Sequence, residues 1–352
     1  METQNSSNTY PTDYHYLYGQ PEVQARIRSC DEDFKVFEIP AFIPDGEGEH
    51  WFIKIRKRGE NTDWVAKELQ RYCDVTSRDI GYAGKKDRHA ITEQWFSVCI
   101  PGTREIDWQG FNRETIEVLE VTKHTRKLRT GALAGNRFEL RLREVSDDAL
   151  FTQRLSLIER GVPNYFGEQR FGHHGANLSR GISLLQGAFK EKNRTKKGLY
   201  ISAVRSWFFN HVLSARIAQD KWQQIMSGDV MMLEGSKSHF SADETENLTS
   251  RLMQADIHLS GPLCGRGRSP LTGDALQWEQ QLLEPHAALL ERLDYAGLSC
   301  ERRALRLIPK GLSAQNEGGG CWRVSFELPP GTFATSVLRE LCQYQVGASE
   351  AP

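Results

Sequence analysis

A chain of 352 residues with 39% hydrophobic and 26% charged residues has the make-up of a soluble globular protein, long enough for about two domains. Its formal net charge of −1 excludes a general polycation, so any nucleic-acid surface must be a local basic patch. No apolar run approaches bilayer length, the N-terminus is polar without a signal-peptide core, and the seven cysteines stand singly without a Cys-x-x-Cys pair. The expectation is a cytoplasmic protein without membrane contact, disulfide framework or metal.

Residues 1 to 20 are polar and tyrosine-rich and read as a loosely ordered arm. Strand-like text follows at Ala25–Ser29 and Phe34–Ile39, and Gly46-Glu47-Gly48-Glu49 marks a hairpin loop. From Trp51, period two sets an apolar row (Trp51, Ile53, Ile55) against a mostly basic one (Phe52, Lys54, Arg56, Arg58). Such a strand serves the core on one face and can meet RNA on the other. Asn61 or Thr62 caps a helix carried by Trp64, Val65, Leu69 and Tyr72.

The stretch Gly81-Tyr82-Ala83-Gly84-Lys85-Lys86-Asp87-Arg88-His89-Ala90 is a tight loop, with Gly81 and Gly84 supplying backbone freedom. It brackets one carboxylate with cations. Cations of this kind can hold a polyanion's phosphates around a nucleophile or base, and the competing reading is a solvated polar turn. A P-loop is excluded, because Asp79 stands where its first glycine belongs and Lys86 where Ser or Thr would bind magnesium. Trp95–Ile100 is a buried-type strand ended by Pro101-Gly102. Lys123–Arg129 is the densest basic run of the first half, and in the strand after it Asn136, Phe138, Leu140 and Leu142 share one face.

Helices are expected near 150–160, 176–187 and 200–219, and from Trp278 with a kink at Pro285. Residues 227 to 275 read as polar and glycine-interrupted, with Gly261-Pro262 in a loop. The alternation of Trp322, Val324, Phe326 and Leu328 returns to sheet, and Pro329-Pro330-Gly331 turns the chain into a last helix near Thr335 that should rejoin the first domain.

The run Gly81–Gln94, with Asn61-Thr62 and Ala66-Lys67 before it, resembles the signature of the TruD family of tRNA pseudouridine synthases. Three further stretches carry the same resemblance: Gly135-Asn136-Arg137-Phe138, Val162–Gly172 and Pro329–Glu340. The resemblance implies an α+β fold in two parts. One is a discontinuous catalytic domain (1–161 and 307–352) built on a mixed, mostly antiparallel sheet; the other is a largely helical insertion domain (162–306). It further implies Asp87 as the catalytic carboxylate. The candidate substrate contacts are Arg28, Phe34, Lys86, Asn136, Phe138 and Phe333, with Lys86 or Arg28 expected to pair with Asp87 or with a phosphate. In the family, the residues matching Asn136 and Phe138 line the active site, the Phe placed to stack on the target base. The family often has Lys where Arg28 stands.

The implied reaction isomerises uridine in tRNA, at position 13 of the D arm, and needs no redox cofactor, ATP or metal. The target base must be flipped out of its stack, and Phe138 and Phe333 are the stacking candidates. Asp87 would attack the sugar at C1′ or the base at C6, or take the C2′ proton; the residues do not separate these routes. tRNA is the expected partner of a monomer with no obligatory protein partner, and Arg170, His173 and Arg194–Lys197 are candidate backbone contacts. The competing readings are a non-catalytic RNA-binding or chaperone protein, and a glycosidase-like hydrolase pairing Asp87 with Glu93.

Overall fold

The structure, a computed structural model, describes residues 10–100, 102, 104–242 and 247–347. Residues 1–9 of the expected arm and Pro101 lie outside them. The chain begins with β1 (Gln24–Ile27), β2 (Phe34–Pro40), β3 (His50–Arg58), α1 (Thr62–Cys73), β4 (Ile80–Tyr82), β5 (Ile91–Cys99), β6 (Ile116–His124), β7 (Leu133–Leu142) and α2 (Asp148–Ile158). Its middle carries β8 (Val162–Pro163), α3 (Glu168–Phe171), α4 (Ala176–Leu185), α5 (Arg194–Ala218), β9 (Val230–Leu233), β10 (His239–Ser241), α6 (Leu248–Met253), β11 (Ile257–Leu263), α7 (Gly273–Leu283), α8 (Ala287–Asp294), β12 (Glu301–Ala304) and β13 (Arg306–Leu307). It closes with β14 (Lys310–Gly318), β15 (Cys321–Leu328), α9 (Ala334–Leu341) and β16 (Gln343–Val346).

Packing divides the chain into two compact units. Among the described residues, one comprises 21–159, 309–334 and 341–347; the other comprises 10–20, 160–308 and 335–340. The sequence reading placed 1–20 and 335–340 with the sheet, whereas by contact residues 10–20 and 335–340 belong to the helical unit. Side chains explain the difference. Tyr14 stacks on Tyr165 at 5.1 Å, Trp207 Nε1 donates to the Pro11 carbonyl at 2.8 Å, and the Ser336 hydroxyl donates to the Tyr165 carbonyl at 2.7 Å. The described part of the arm is therefore tied down.

The sheet unit runs in the order β14-β15-β7-β2-β5-β3-β6, with β4 added on β5. β2 and β5 pair parallel and the other neighbours pair antiparallel. This is the mixed, mostly antiparallel sheet of an α+β fold. Ile53 and Ile55 of β3 and Phe96 and Val98 of β5 alternate onto the face that Val65 and Leu69 of α1 cover, a core from which water is excluded. The opposite row of β3 is less basic than its sequence implied. Arg56 pairs with Glu93 at 2.8 Å and Glu117 at 2.6 Å, Lys54 with Glu93 at 3.5 Å, and Arg58 with Glu32 at 2.5 Å. Glu93 is thereby occupied structurally, and the glycosidase-like pairing with Asp87 loses its second carboxylate.

In the other unit α5 is buried on most of its faces, with Val204, Trp207, Phe208, Phe209, Val212 and Leu213 all at 0% exposure. The helix starts at Arg194, ahead of the expected position, because the Asn193 side chain accepts from the Lys196 N–H and caps it. Pro285 interrupts the helix expected from Trp278, leaving α7 and α8 on either side of one tight turn. Residues 227–275 hold regular structure that their polarity concealed: β9, β10 and β11, which with β12 form a four-stranded sheet in the order β10-β9-β11-β12. Gly261 and Pro262 lie within β11, and a Cβ at Gly261 would come within 2.8 Å of Leu305 and 3.1 Å of Phe209. The glycine there serves close packing. Among the described residues no helix is long and apolar enough to cross a membrane.

Candidate active site

The Asp87 loop is the tip of a hairpin in which Ile80, Gly81 and Tyr82 pair with Val98, Ser97 and Phe96. At Gly81 a Cβ would fall 2.2 Å from the Leu128 carbonyl oxygen and 2.6 Å from Ser97 Oγ, so only glycine lets the segment 128–131 cross there. Gly84 is different: its Cβ position is open, with Lys86 Nζ at 3.8 Å as the nearest atom. One glycine of the pair is required by geometry, not both.

Between these residues the loop backbone is held at nearly every step. Gly131 N–H donates to the Ala83 carbonyl at 2.7 Å, and the Gln94 side-chain amide donates to the Gly84 carbonyl at 3.1 Å. The Thr62 hydroxyl accepts from Lys86 N–H at 3.0 Å and donates to Gln94 Oε1 at 2.9 Å. Lys57 Nζ donates to the Asp87 carbonyl at 2.7 Å. A loop whose polar groups are satisfied from both neighbouring elements presents its side chains in one geometry.

The adjacent cations do not serve Asp87 as their proximity in sequence implied. Lys85 turns to Asp63 at 2.6 Å, and Arg88 Nε donates to the Gly59 carbonyl at 3.3 Å. Lys86 is buried to 4% exposure against Glu38 at 2.7 Å, and the other Glu38 oxygen accepts from Trp95 N–H at 3.1 Å. The cation beside the Asp87 carboxylate is Arg28, whose Nη2 lies 3.5 Å from Oδ2. That separation is long for a hydrogen bond and leaves carboxylate lone pairs open to a substrate. The Asp87 side chain keeps 31% of its surface exposed.

Arg28 sits just past β1 with φ of 54°, a left-handed conformation uncommon outside glycine. Its guanidinium lies 4.0 Å over the ring of Phe34, a cation–π contact. Phe34 meets the Phe138 ring edge-on at 6.3 Å, and Phe138 stacks on Phe326 at 5.6 Å. A second path reaches the same strand, because Lys86 pairs with Glu38 of β2 and Glu38 lies opposite Asn136 of β7 in register. Asn136 Oδ1 is buried with no hydrogen-bond partner among the described residues, an orphaned acceptor facing this region. Arg28, Phe34, Lys86, Asp87, Asn136 and Phe138 thus form one connected set. Phe333 stands five residues beyond Leu328, the register partner of Asn136, in the turn between β15 and α9, and is half-buried. Phe138 retains only 6% exposure, so most of its ring is committed to packing.

Lys57 was missed by the sequence reading, which counted only the outward cations of β3. The signal was available: Lys57 extends the inward row of Ile53 and Ile55, and a lysine on an apolar row needs a partner. At 1% exposure, burial pushes its pKa down to about 8 against an opposing attraction from Asp87.

The other proposed RNA contacts lie in the helical unit. Arg170 is half-buried, its guanidinium 5.4 Å from the Phe166 ring centre and 3.2 Å from the Ser202 hydroxyl; His173 is exposed; and Arg194, Lys196 and Lys197 are exposed on the first turn of α5. Among the described residues no group of three or more His, Cys, Asp or Glu side chains could hold a metal ion.

Comparison with known proteins places this geometry in context. The sequence model of the family tRNA pseudouridine synthase D (TruD) matches residues 13–192 and 177–341. A tRNA pseudouridine synthase D of Hydrogenovibrio crunogenus is 43% identical over 335 residues, covering 95% of this chain and 97% of its own. That of Methylococcus capsulatus is 45% identical over 331 residues, covering 93% of both chains. In structure, a TruD protein from Methanosarcina mazei superposes with a TM-score of 0.73 at 22% identity, over 93% of this chain and 95% of that one, a likeness of fold. Matches of this extent mean that the chain belongs to the TruD family of tRNA pseudouridine synthases.

Proposed function

We propose that this enzyme isomerises uridine to pseudouridine in tRNA, at position 13 of the D arm, with Asp87 as the reacting carboxylate in the 21–159 and 309–334 unit. The observation that carries the reading is the partly exposed Asp87 carboxylate. It is held on a loop fixed from both sides and accompanied by Arg28 at 3.5 Å.

The net reaction moves a bond and a proton. The C1′–N1 bond breaks, a C1′–C5 bond forms, the C5 hydrogen leaves and N1 gains one, so nothing is oxidised and no co-reactant is consumed. Asp87 serves this either by bonding to C1′ or C6 or by taking the C2′ proton. The detached uracil must turn over in place, which calls for a flipped nucleotide and a closed, partly aromatic pocket. Phe333, half-buried, offers ring surface for the base, and the packed Phe138 forms a floor between Phe34 and Phe326. The orphaned Asn136 Oδ1 suits the N–H donors of a uracil edge.

The test is incubation of the purified protein with unmodified tRNA and no added cofactor, followed by nucleoside analysis. Pseudouridine at a single D-arm position is the expected product. Unchanged tRNA would identify a non-catalytic RNA-binding protein, and free uracil a hydrolase.

A further inference from the structure

Residues 124–127 and Arg129 of the basic run line a groove of about 900 Å³ that the site above does not use. Its walls come from the segment after β2 (Phe42, Ile43, Asp45) and from the loop joining β6 to β7 (Thr125, Arg126, Lys127, Arg129), with His50 at the start of β3 between them. The volume is at the upper end of the about 300–1,000 Å³ of small-molecule pockets, yet the lining is mostly polar, its apolar part being Phe42, Ile43 and Ala132. Phe42 is already stacked on His124 at 4.6 Å, and Asp45 is spent on His124 at 2.8 Å and the Thr125 hydroxyl at 2.7 Å.

What remains is positive. Arg126 and Arg129 are exposed, and among the described residues neither they nor Lys127 makes an ion pair. The basic row of β3, by contrast, is neutralised by Glu93, Glu117 and Glu32. His50 Nδ1, in the groove wall, is buried without a hydrogen-bond partner among the described residues. In a chain of net charge −1, this is a local excess of the kind a phosphate backbone requires.

The loop is also fixed to the catalytic hairpin. Lys127 Nζ donates to the Arg78 carbonyl at 2.5 Å, Leu128 N–H to Ser97 Oγ at 3.0 Å, and Gly131 N–H to the Ala83 carbonyl at 2.7 Å. Phosphates bound by Arg126 and Arg129 would therefore be registered against the strand that leads into the Asp87 loop.

We infer that this groove binds the sugar-phosphate backbone of the tRNA whose uridine reaches Asp87, an inference that rests on the proposed function for its choice of ligand. Arg126 and Arg129 supply two phosphate contacts and set affinity and register without touching the reacting base.

The experiment measures the Kd of unmodified tRNA for the wild-type protein and for Arg126→Ala/Arg129→Ala across a salt series, with pseudouridine formation followed at saturating tRNA. Both arginines are exposed, so the variant keeps the fold, which its circular dichroism and Tm check. The expected result is Kd raised about tenfold at low salt, a log Kd against log salt slope reduced by about 1.4–1.8, and kcat within about twofold of wild type. A wild-type Kd and slope in the variant would overturn the inference, as would a loss of kcat with unchanged Kd. If the wild-type protein binds tRNA with the steeper slope but makes no pseudouridine, the groove stands and the enzymatic reading fails.

Discussion

Lys57 Nζ, on a side chain exposed to only 1%, donates a 2.7 Å hydrogen bond to the backbone carbonyl of Asp87. The contact ties the sheet core to the peptide that carries the candidate catalytic carboxylate. Because burial holds the Lys57 pKa down at about 8, its charge is lost as pH rises through that value. The folded pKa lies below the unfolded value near 10.4, so the fold binds fewer protons between these limits, and this group makes the fold more stable as pH rises through the window. A fall in kcat above about pH 8 would then report the site and not unfolding. The pH–rate profile of wild type should show this fall, and Lys57→Arg should move it to higher pH while retaining activity. Lys57→Met should lower kcat at every pH with little change in KM.

Arg28 is the cation that stands beside Asp87, and its stacking on Phe34 holds it there. Arg28→Met should lower kcat/KM by about 5- to 30-fold, the equivalent of about 1–2 kcal/mol. Arg28→Lys keeps the charge and should lose less. Steady-state kinetics on one tRNA compares the two; equal losses would mean that the planar guanidinium, not its charge, is what the site needs.

The two loop glycines separate a packing requirement from a sequence pattern. Gly81→Ala forces the Leu128 carbonyl or Ser97 aside and should cost about 1–3 kcal/mol of stability, with activity falling as the loop shifts. Gly84→Ala meets open space and should leave Tm close to wild type. Thermal unfolding of the two variants decides this.

Phe138 and Phe333 should divide on replacement. Phe138→Ala empties a buried position and should destabilise the protein by about 3–5 kcal/mol, whereas Phe138→Leu keeps most of the volume and should cost less than about 1.5 kcal/mol. Phe333→Ala should spare stability but slow turnover by about 5- to 150-fold, as expected for a lost base–aromatic contact of about 1–3 kcal/mol. Tm and kcat measured on the same preparations test the division.

The legible parts of the site were those set by local pattern. The Asp87 loop announces itself by glycines and charge, α1 by its apolar spacing, and Asn136 with Phe138 by the alternation of β7. What escaped depends on register between distant strands. The sequence offers both Lys86 and Arg28 to Asp87; that Lys86 goes to Glu38 instead depends on β2 lying beside β5, and that Arg28 is the one at Asp87 goes with its left-handed conformation just past β1. Neighbouring cations in sequence were therefore assigned to Asp87 when alternation along an extended loop sends them to Asp63 and Glu38. The sheet of β9 to β12 was hidden for a different reason: its strands are short, and Gly261 and Pro262 interrupt the usual strand composition, the glycine making room for Phe209 and Leu305. The outer cations of β3 looked free because their acidic partners lie elsewhere in the chain: Glu93 and Glu117 on other strands for Lys54 and Arg56, and Glu32 ahead of β2 for Arg58.

The central claim is that the Asp87 carboxylate performs the chemistry, and it is tested most directly by Asp87→Asn. The replacement preserves shape and removes the charge. Single-turnover pseudouridine formation on unmodified tRNA should fall by at least about 10³-fold while the tRNA Kd stays within a few fold of wild type. Pseudouridine formed at near wild-type rate by the Asn variant would contradict the account.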